Sequence, residues 1–406
     1  MLAKGRFRPH IISMFADAQE ARADAGAEAD RVGVTRLVLN NFRNYREARL
    51  TIGTAPVVLT GPNGAGKTNL LEAVSFLAPG RGLRGARLTE IDRRVQPGPA
   101  EATGGWAVAA VVATRRGSIR IGTGREANSG ERRVVRIDGD PVRSHATLGE
   151  RLGVLWLTPP MDRLFIEAPG GRRRFLDRLV LGLDPAHGSR VAAYEHALRE
   201  RSRLLRDGPR DPAWLAALEE VMAEQGVAVA AGRRETVQRL DRACAEAEGP
   251  FPSARLALDG TVETWLAEMP ALAAEAQFAE TLAANRQSDA QAGGALLGPH
   301  RSDLQVSLAA NGIAAASAST GEQKALLVSI ILAQARLQRA MRGEPPLLLL
   351  DEIGAHLDAS RRAALFDALL RLDSQTWLTG TDQALLERLR RNAQFLSVRD
   401  GQLAET

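Results

Sequence analysis

The sequence predicts an α/β fold in which a mixed sheet with flanking helices and an antiparallel meander is split by an inserted α-helical domain. Three observations predict it. Short β-type runs begin at Val32 and continue to Pro159-Pro160. From Arg172 to Ala292 the chain is rich in Ala, Leu, Arg and Glu, punctuated by Pro, Gly and Asp. After Gly298 the β/α alternation resumes. With 406 residues, 45% of them hydrophobic, the chain can bury a large core in one large or two to three smaller domains.

Residues 1–31 are helix-prone but lack an apolar face, and they read as a disordered extension. Strands are expected at 34–39, 48–52 and 56–60, the last running into glycines. Residues 107–113, 118–122 and 132–138 suit an antiparallel meander, with Asp138-Gly139 as a hairpin signal. A short apolar strand at 154–158 is stopped by the two prolines. Helices follow, interrupted at 182–189, 207–212 and 249–260, and Asp211-Pro212 makes a cap and first-turn pair. Strands return at 347–350, 376–379 and 395–399. The expected domains are an extension (1–31), a first α/β part (32–171), a helical insertion (172–292) and a second α/β part (293–406). No internal repeat is visible.

Composition removes several classes of protein. One cysteine, Cys244, excludes a disulfide framework, Cys-rich zinc modules and iron–sulfur clusters, and fits a reducing compartment. The six histidines are scattered, with no HExxH pair. No apolar run approaches the roughly 18 residues of a membrane span. A cytoplasmic protein without a membrane partner is expected. Lys and Arg total 53 against 48 acids, yet only Lys4, Lys67 and Lys324 are lysines. A lysine retained amid such arginine usage points to a need for an ammonium group.

Gly61-Pro62-Asn63-Gly64-Ala65-Gly66-Lys67-Thr68 matches GxxxxGK[ST], between an expected strand and a helix that opens at Asn69. Its glycines let the backbone wrap phosphates, with N–H groups and a helix N-terminus behind them. Lys67 would reach the β/γ-phosphates, and the Thr68 hydroxyl would ligate Mg²⁺. The run Leu347-Leu348-Leu349-Leu350-Asp351-Glu352 suits a buried parallel strand ending in two acids. Asp351 would hold the Mg²⁺ and Glu352 would activate the attacking water; alternatively, these are two solvated acids. Ser319-Thr320-Gly321-Glu322-Gln323-Lys324 opens an apolar helix, as a second anion site or as a simple capping box.

The order of phosphate loop, long insertion, Ser-x-Gly helix start and acidic strand resembles the ABC-type ATPase heads. In these heads the signature helix of one subunit caps the γ-phosphate held by another. Within that superfamily the chain resembles the RecF family over roughly residues 32–400. The resemblance rests on Asn41-Phe42-Arg43-Asn44-Tyr45, the stretch 61–72, Arg172-Arg173-Arg174-Phe175-Leu176-Asp177, Gly298-Pro299-His300-Arg301-Ser302-Asp303 and 319–324. It implies ATP and Mg²⁺ as cofactors, weak ATPase activity and an ATP-dependent homodimer. Binding at gaps and single-strand/double-strand DNA junctions is also implied, as is work with RecO and RecR to help RecA displace single-strand-binding protein. Ser319, Gly321, Glu322 and Gln323 would form the signature acting across the dimer, and Asp358 would be the D-loop aspartate. The chain departs from the family where Pro159-Pro160-Met161-Asp162 and Ile166-Glu167 replace an acidic Pro-Glu-Asp-Leu and a Lys-Gly. The histidine switch of transporter heads is also missing, and the γ-phosphate sensor falls at Thr381 or Asp382.

Between Arg81 and Arg178 lie 19 arginines and 11 acids, a local surplus above the +5 of the whole chain. Arg172, Arg173 and Arg174 sit at a helix start, where the dipole disfavours cations, so phosphate oxygens or acids such as Asp177 would relieve them. Arg115, Arg116, Arg132 and Arg133, with Arg136, are further DNA-contact candidates. Such contacts would be indifferent to base sequence. His300 suits a turn residue or a polarising group, and Tyr45 suits a core aromatic or an adenine-stacking ring. Competing readings are a transporter ATPase, an SMC- or Rad50-like head, and a nucleotide-gated scaffold without turnover. Against the first, Thr68 and Asp351 are 283 positions apart. Against the second, one Cys cannot build a zinc hook.

Overall fold

The computed structural model describes residues 31–93, 104–127, 129–208, 212–247, 249–354, 358–380 and 390–405. The expected extension at 1–31, apart from Arg31, and Asp211 of the expected cap lie outside them. In chain order the elements are β1 (Gly33–Phe42), β2 (Tyr45–Thr51), β3 (Val57–Thr60), α1 (Lys67–Ser75), β4 (Trp106–Thr114), β5 (Gly117–Arg125), β6 (Val134–Ile137) and β7 (Asp140–Pro141). Next come α2 (Ala146–Arg151), β8 (Val154–Leu157), α3 (Pro169–Leu181), α4 (His187–Asp207), α5 (Pro212–Ala245), β9 (Ala254–Asp259), α6 (Thr261–Glu268), α7 (Ala271–Ala284) and α8 (Arg286–Ala292). The chain ends with β10 (Asp303–Leu308), α9 (Thr320–Arg342), β11 (Leu347–Leu350), α10 (Ala359–Leu372), β12 (Thr376–Thr379), β13 (Gln394–Arg399) and β14 (Gln402–Glu405).

Two units result, one of residues 1–159 with 338–406, the other of 160–337. The first holds two six-stranded sheets. One is antiparallel, ordered β2-β1-β4-β5-β6-β7; the other is ordered β14-β13-β3-β12-β11-β8, parallel except for β14. In the second sheet β11 is a continuous apolar run, and both β11 and β12 are buried along their length, as strands covered on both faces must be. The expected meander is β4–β6, and Asp138 and Gly139 both take positive φ, as a tight hairpin turn between right-twisted strands requires. Two side-chain amides, Gln375 buried and Gln394 half-buried, tie the chain around β1–β3 together. Gln375 donates to Val34 O and Gly53 O, at 2.9 Å each, and accepts from Val34 N; Gln394 donates to Gly53 O and Ala55 O.

The second unit packs α4–α7 around Tyr194, Met222, Val227 and Phe278. A Cβ on Gly226 would meet Phe278 at 2.8 Å and Tyr194 at 3.0 Å, so glycine sets how closely α5 approaches its neighbours. This unit is not wholly helical. The expected break at 249–260 contains β9, paired antiparallel with β10. Ala254 and Leu256 turn inward and Arg255 outward, a period-two pattern whose partner strand lies far along the chain. That pairing and the Arg172–Asp303 ion pair at 2.7 Å tie both flanks to the helical core. The two compact units divide at 159/160 and, inside α9, at 337/338.

Candidate nucleotide site

At the carboxyl end of β3 the chain turns through the glycine-rich loop into α1. Gly66 is the N-cap of α1 in a left-handed conformation (φ 118°), and no side chain caps the helix, leaving its first N–H groups to an external acceptor. A Cβ on Gly66 would lie 2.6 Å from Asn44 Nδ2, so any other residue would push the brace away. At Gly64 (φ 80°) a Cβ would meet nothing within 4 Å, so the loop is open on that side. Lys67 folds back over the loop, and its Nζ donates to Gly61 O at 2.7 Å and Pro62 O at 2.9 Å.

The turn between β1 and β2 braces this loop. Asn44 Nδ2 donates to Ala65 O at 3.0 Å, Asn69 Nδ2 donates to Asn44 Oδ1 at 2.7 Å, and Tyr45 Oη donates to Gly66 O at 3.0 Å. Gly401 N, from the β13–β14 turn, also donates to Ala65 O. Below the loop, Arg43 and Arg84 both pair with the buried Glu72, at 2.7 and 2.6 Å. Tyr45 is fully buried, and burial raises its phenol pKa far above the usual value, so it is a core brace and not an adenine-stacking ring.

Strand order brings the acids to the loop. β12 lies between β3 and β11, and the ends of all three strands point to one edge. Thr68 Oγ1 lies 3.0 Å from both carboxylate oxygens of Asp351. Thr379 Oγ1 donates to Asp351 Oδ1 at 2.7 Å and accepts from the Glu352 N–H at 2.9 Å. Asp351 is buried, whereas Glu352 is exposed and adopts a left-handed backbone, φ 48°. An uncapped helix start, an ammonium held by two carbonyls, and a hydroxyl–carboxylate pair suit a polyphosphate carrying a hard divalent cation. Among the described residues no cluster of three His, Cys, Asp or Glu could hold a metal by itself, so the phosphates would complete its shell.

The signature stretch lies in the other unit, where its geometry is that of a capping box. Ser319 N and Oγ both donate to Glu322 Oε2, at 2.9 and 2.7 Å, and Glu322 N donates back to Ser319 Oγ. Gln323 is buried on Ala318 O, and Gly321 opens the first turn of α9. Lys324 is buried, its Nζ 3.3 Å from Asp162. Asp358 caps α10 by accepting from Arg361 N at 2.8 Å, a bond that lowers its pKa. Thr381 and Asp382 lie outside the described residues.

The arginine candidates separate sharply. Arg133 is buried, donating to Phe76 O, Ala78 O, Gly80 O and Thr123 Oγ1 with its guanidinium 5.1 Å from the Phe76 ring, so it cannot face DNA. Burial pushes its pKa down to about 9, which still leaves it charged at neutral pH. Arg172 is held bidentate by Asp303, and Arg173 donates to Ser302 O at 2.9 Å; both serve the packing of α3. Asp177 binds Arg233 and His187 directly and acts on Arg173 through its charge. Arg115 bonds Gly343 O but remains exposed, as do Arg116, Arg132 and Arg174. His300 accepts from Tyr194 Oη at 2.7 Å and donates to Ala295 O at 2.9 Å, and burial lowers its pKa, as befits a neutral structural residue.

Reading the sequence missed Thr379, Asn44 and the Arg43–Glu72 pair as parts of the site. Asn44 stood in a recognisable motif. Thr379 carried no local signal, because only the β11–β12 register, which pairs Leu350 with Leu378, brings it to Asp351.

Fold and site together define a phosphate-loop ATPase head. A family model for the RecF/RecN/SMC N terminal domain matches residues 33–403. DNA replication and repair protein RecF of Mesorhizobium japonicum is 48% identical over 378 residues, covering 92% of this chain and 98% of that protein. RecF of Brucella suis biovar 1 is 48% identical over 388 residues, covering 95% and 99%. The chain belongs to the RecF family. Among solved structures, the recombination mediator protein RecF-ATPrS of the RecFOR pathway matches with a TM-score of 0.80 at 21% identity, covering 93% of this chain and 98% of that one. The Smc head domain of Pyrococcus furiosus, bound to the C-terminal domain of ScpA, matches at 0.51 and 16%, covering 92% and 96%. Both likenesses concern the fold. No helix among the described residues is long and apolar enough to cross a membrane.

Proposed function

We propose that this chain is an ATP-dependent DNA-binding protein of recombinational gap repair and replication that dimerises on ATP and hydrolyses it slowly as a switch. The observation that carries the reading is the convergence of Thr68 and Asp351 beside the open start of α1, within a chain 48% identical to proteins named RecF. Lys67 would leave the Gly61 and Pro62 carbonyls for the β/γ-phosphates, while Thr68 and Asp351 would hold Mg²⁺, which supplies charge neutralisation. Glu352 would orient and deprotonate the attacking water. Ser319 would exchange the Glu322 carboxylate for the γ-phosphate held by a second copy, since both are anions seeking the same two donors. Asp358 and the segment containing Thr381 and Asp382 would report the state of that phosphate.

Partners follow from family membership and from charge. Gapped and junction DNA would be bound through exposed arginines on the phosphate backbone, without sequence preference. RecO and RecR would act with the ATP-bound dimer to load RecA. Light scattering with ATP–Mg²⁺ and gapped DNA tests this, on the wild type and on Glu352→Gln. The expected result is a monomer alone and a dimer with ATP–Mg²⁺, the Gln variant staying dimeric while releasing phosphate on the order of 100-fold more slowly. A monomer under every condition would overturn the switch, and unchanged phosphate release would remove Glu352 from its role.

A further inference from the structure

Thr379 ends β12, the strand between the phosphate-loop strand and the acidic strand, and it is almost fully buried. A hydroxyl has one proton to give and lone pairs to receive. Thr379 uses both on the two acids of the site: it donates to Asp351 Oδ1 at 2.7 Å and accepts from the Glu352 N–H at 2.9 Å. Asp351 takes a second hydroxyl from Thr68, but the two threonines are not equivalent. Thr68 stands at the start of α1, where its lone pairs are what a Mg²⁺ would use, so its bond to Asp351 is exchangeable. Thr379 stands on a sheet strand with no such second task. Glu352 meanwhile holds a left-handed backbone, uncommon for a residue with a Cβ, and its N–H is fixed by Thr379.

We infer that Thr379 is a positioning residue for hydrolysis, its single hydroxyl setting the Asp351 carboxylate and the backbone turn that aims Glu352; the inference rests on the nucleotide reading above. Valine has nearly the same shape and no hydroxyl. In Thr379→Val the Glu352 N–H loses its acceptor and Asp351 Oδ1 loses its stationary donor, while the phosphate loop, Lys67 and Thr68 keep their contacts. Serine restores both bonds.

The test uses the full chain as wild type, Thr379→Val, Thr379→Ala and Thr379→Ser. Steady-state ATP turnover gives kcat and KM, and a fluorescent ATP analogue with Mg²⁺ gives affinity independently of turnover. Val and Ala should lose kcat on the order of 10- to 100-fold, as for a lost bond to a charged group. Affinity should stay within about three-fold, and Ser should return kcat to within about three-fold of wild type. If the Val variant does not fold, the Ala variant, which adds no bulk, carries the same expectation. Wild-type kcat in either variant, a loss that Ser does not repair, or an equal loss of affinity would overturn the inference. A wild type that binds no ATP would instead overturn the nucleotide reading.

Discussion

Arg133 and Lys324 illustrate how far burial decides what a charged residue does. Arg133 looked like one more cation of a basic stretch, yet its guanidinium satisfies the carbonyls of Phe76, Ala78 and Gly80 after α1 and the hydroxyl of Thr123 on β5. A planar five-donor fork can do this; an ammonium cannot. Removing it strands buried acceptors and leaves a void under the Phe76 ring. Arg133→Ala should therefore lower stability by about 3 kcal/mol, seen as a fall in the urea midpoint. An unchanged midpoint would mean that the carbonyls find water instead. Lys324, one of only three lysines in an arginine-rich chain, is buried with its ammonium 3.3 Å from Asp162.

Helix α3 shows the same sorting within one turn. Its N-terminal arginines oppose the helix dipole, and each finds a different remedy. Arg172 is clasped by Asp303 of β10, Arg173 reaches the Ser302 carbonyl, and Arg174 stays exposed. Arg172→Ala breaks a largely shielded bidentate pair and should cost about 1–3 kcal/mol in a urea titration. Arg174→Ala should cost less than about 0.5 kcal/mol. If Arg174 meets DNA, its loss should reduce the slope of log affinity against log salt by about 1 at every DNA sequence tested. A steeper loss from Arg172→Ala in a fully folded protein would reverse this assignment. Helix α9 carries the comparable point for the signature: its serine caps the helix in the free chain, so the same donors can later serve an anion.

At the scale of the whole molecule, the proposed composite site predicts complementation. Ser319→Arg should impair ATP held by a second copy, and Lys67→Met should impair ATP held in the same copy. Each variant alone should be inactive, while an equal mixture should recover about one working site per mixed dimer. ATPase titration of one variant into the other measures this. A flat response would mean that each site is completed within one chain.

The sequence by itself determined the class of fold and the chemistry of the loop. GxxxxGK[ST] is a local motif, and the apolar run Leu347–Leu350 announces a strand buried on both faces. The Asp138-Gly139 hairpin was legible for the same reason, since two consecutive positive φ values call for such residues. The tertiary structure decided what depends on partners distant in the chain. Only the order β3-β12-β11 places Thr379 against Asp351 and Glu352, and only the β1–β2 turn makes Asn44 and Tyr45 a brace for the phosphate loop. β9 needed β10 to be a strand, and the arginines needed burial to be divided between scaffold and surface. Backbone conformation and hydrophobic period are properties of neighbours along the chain, whereas hydrogen-bond partners and desolvation are properties of neighbours in space.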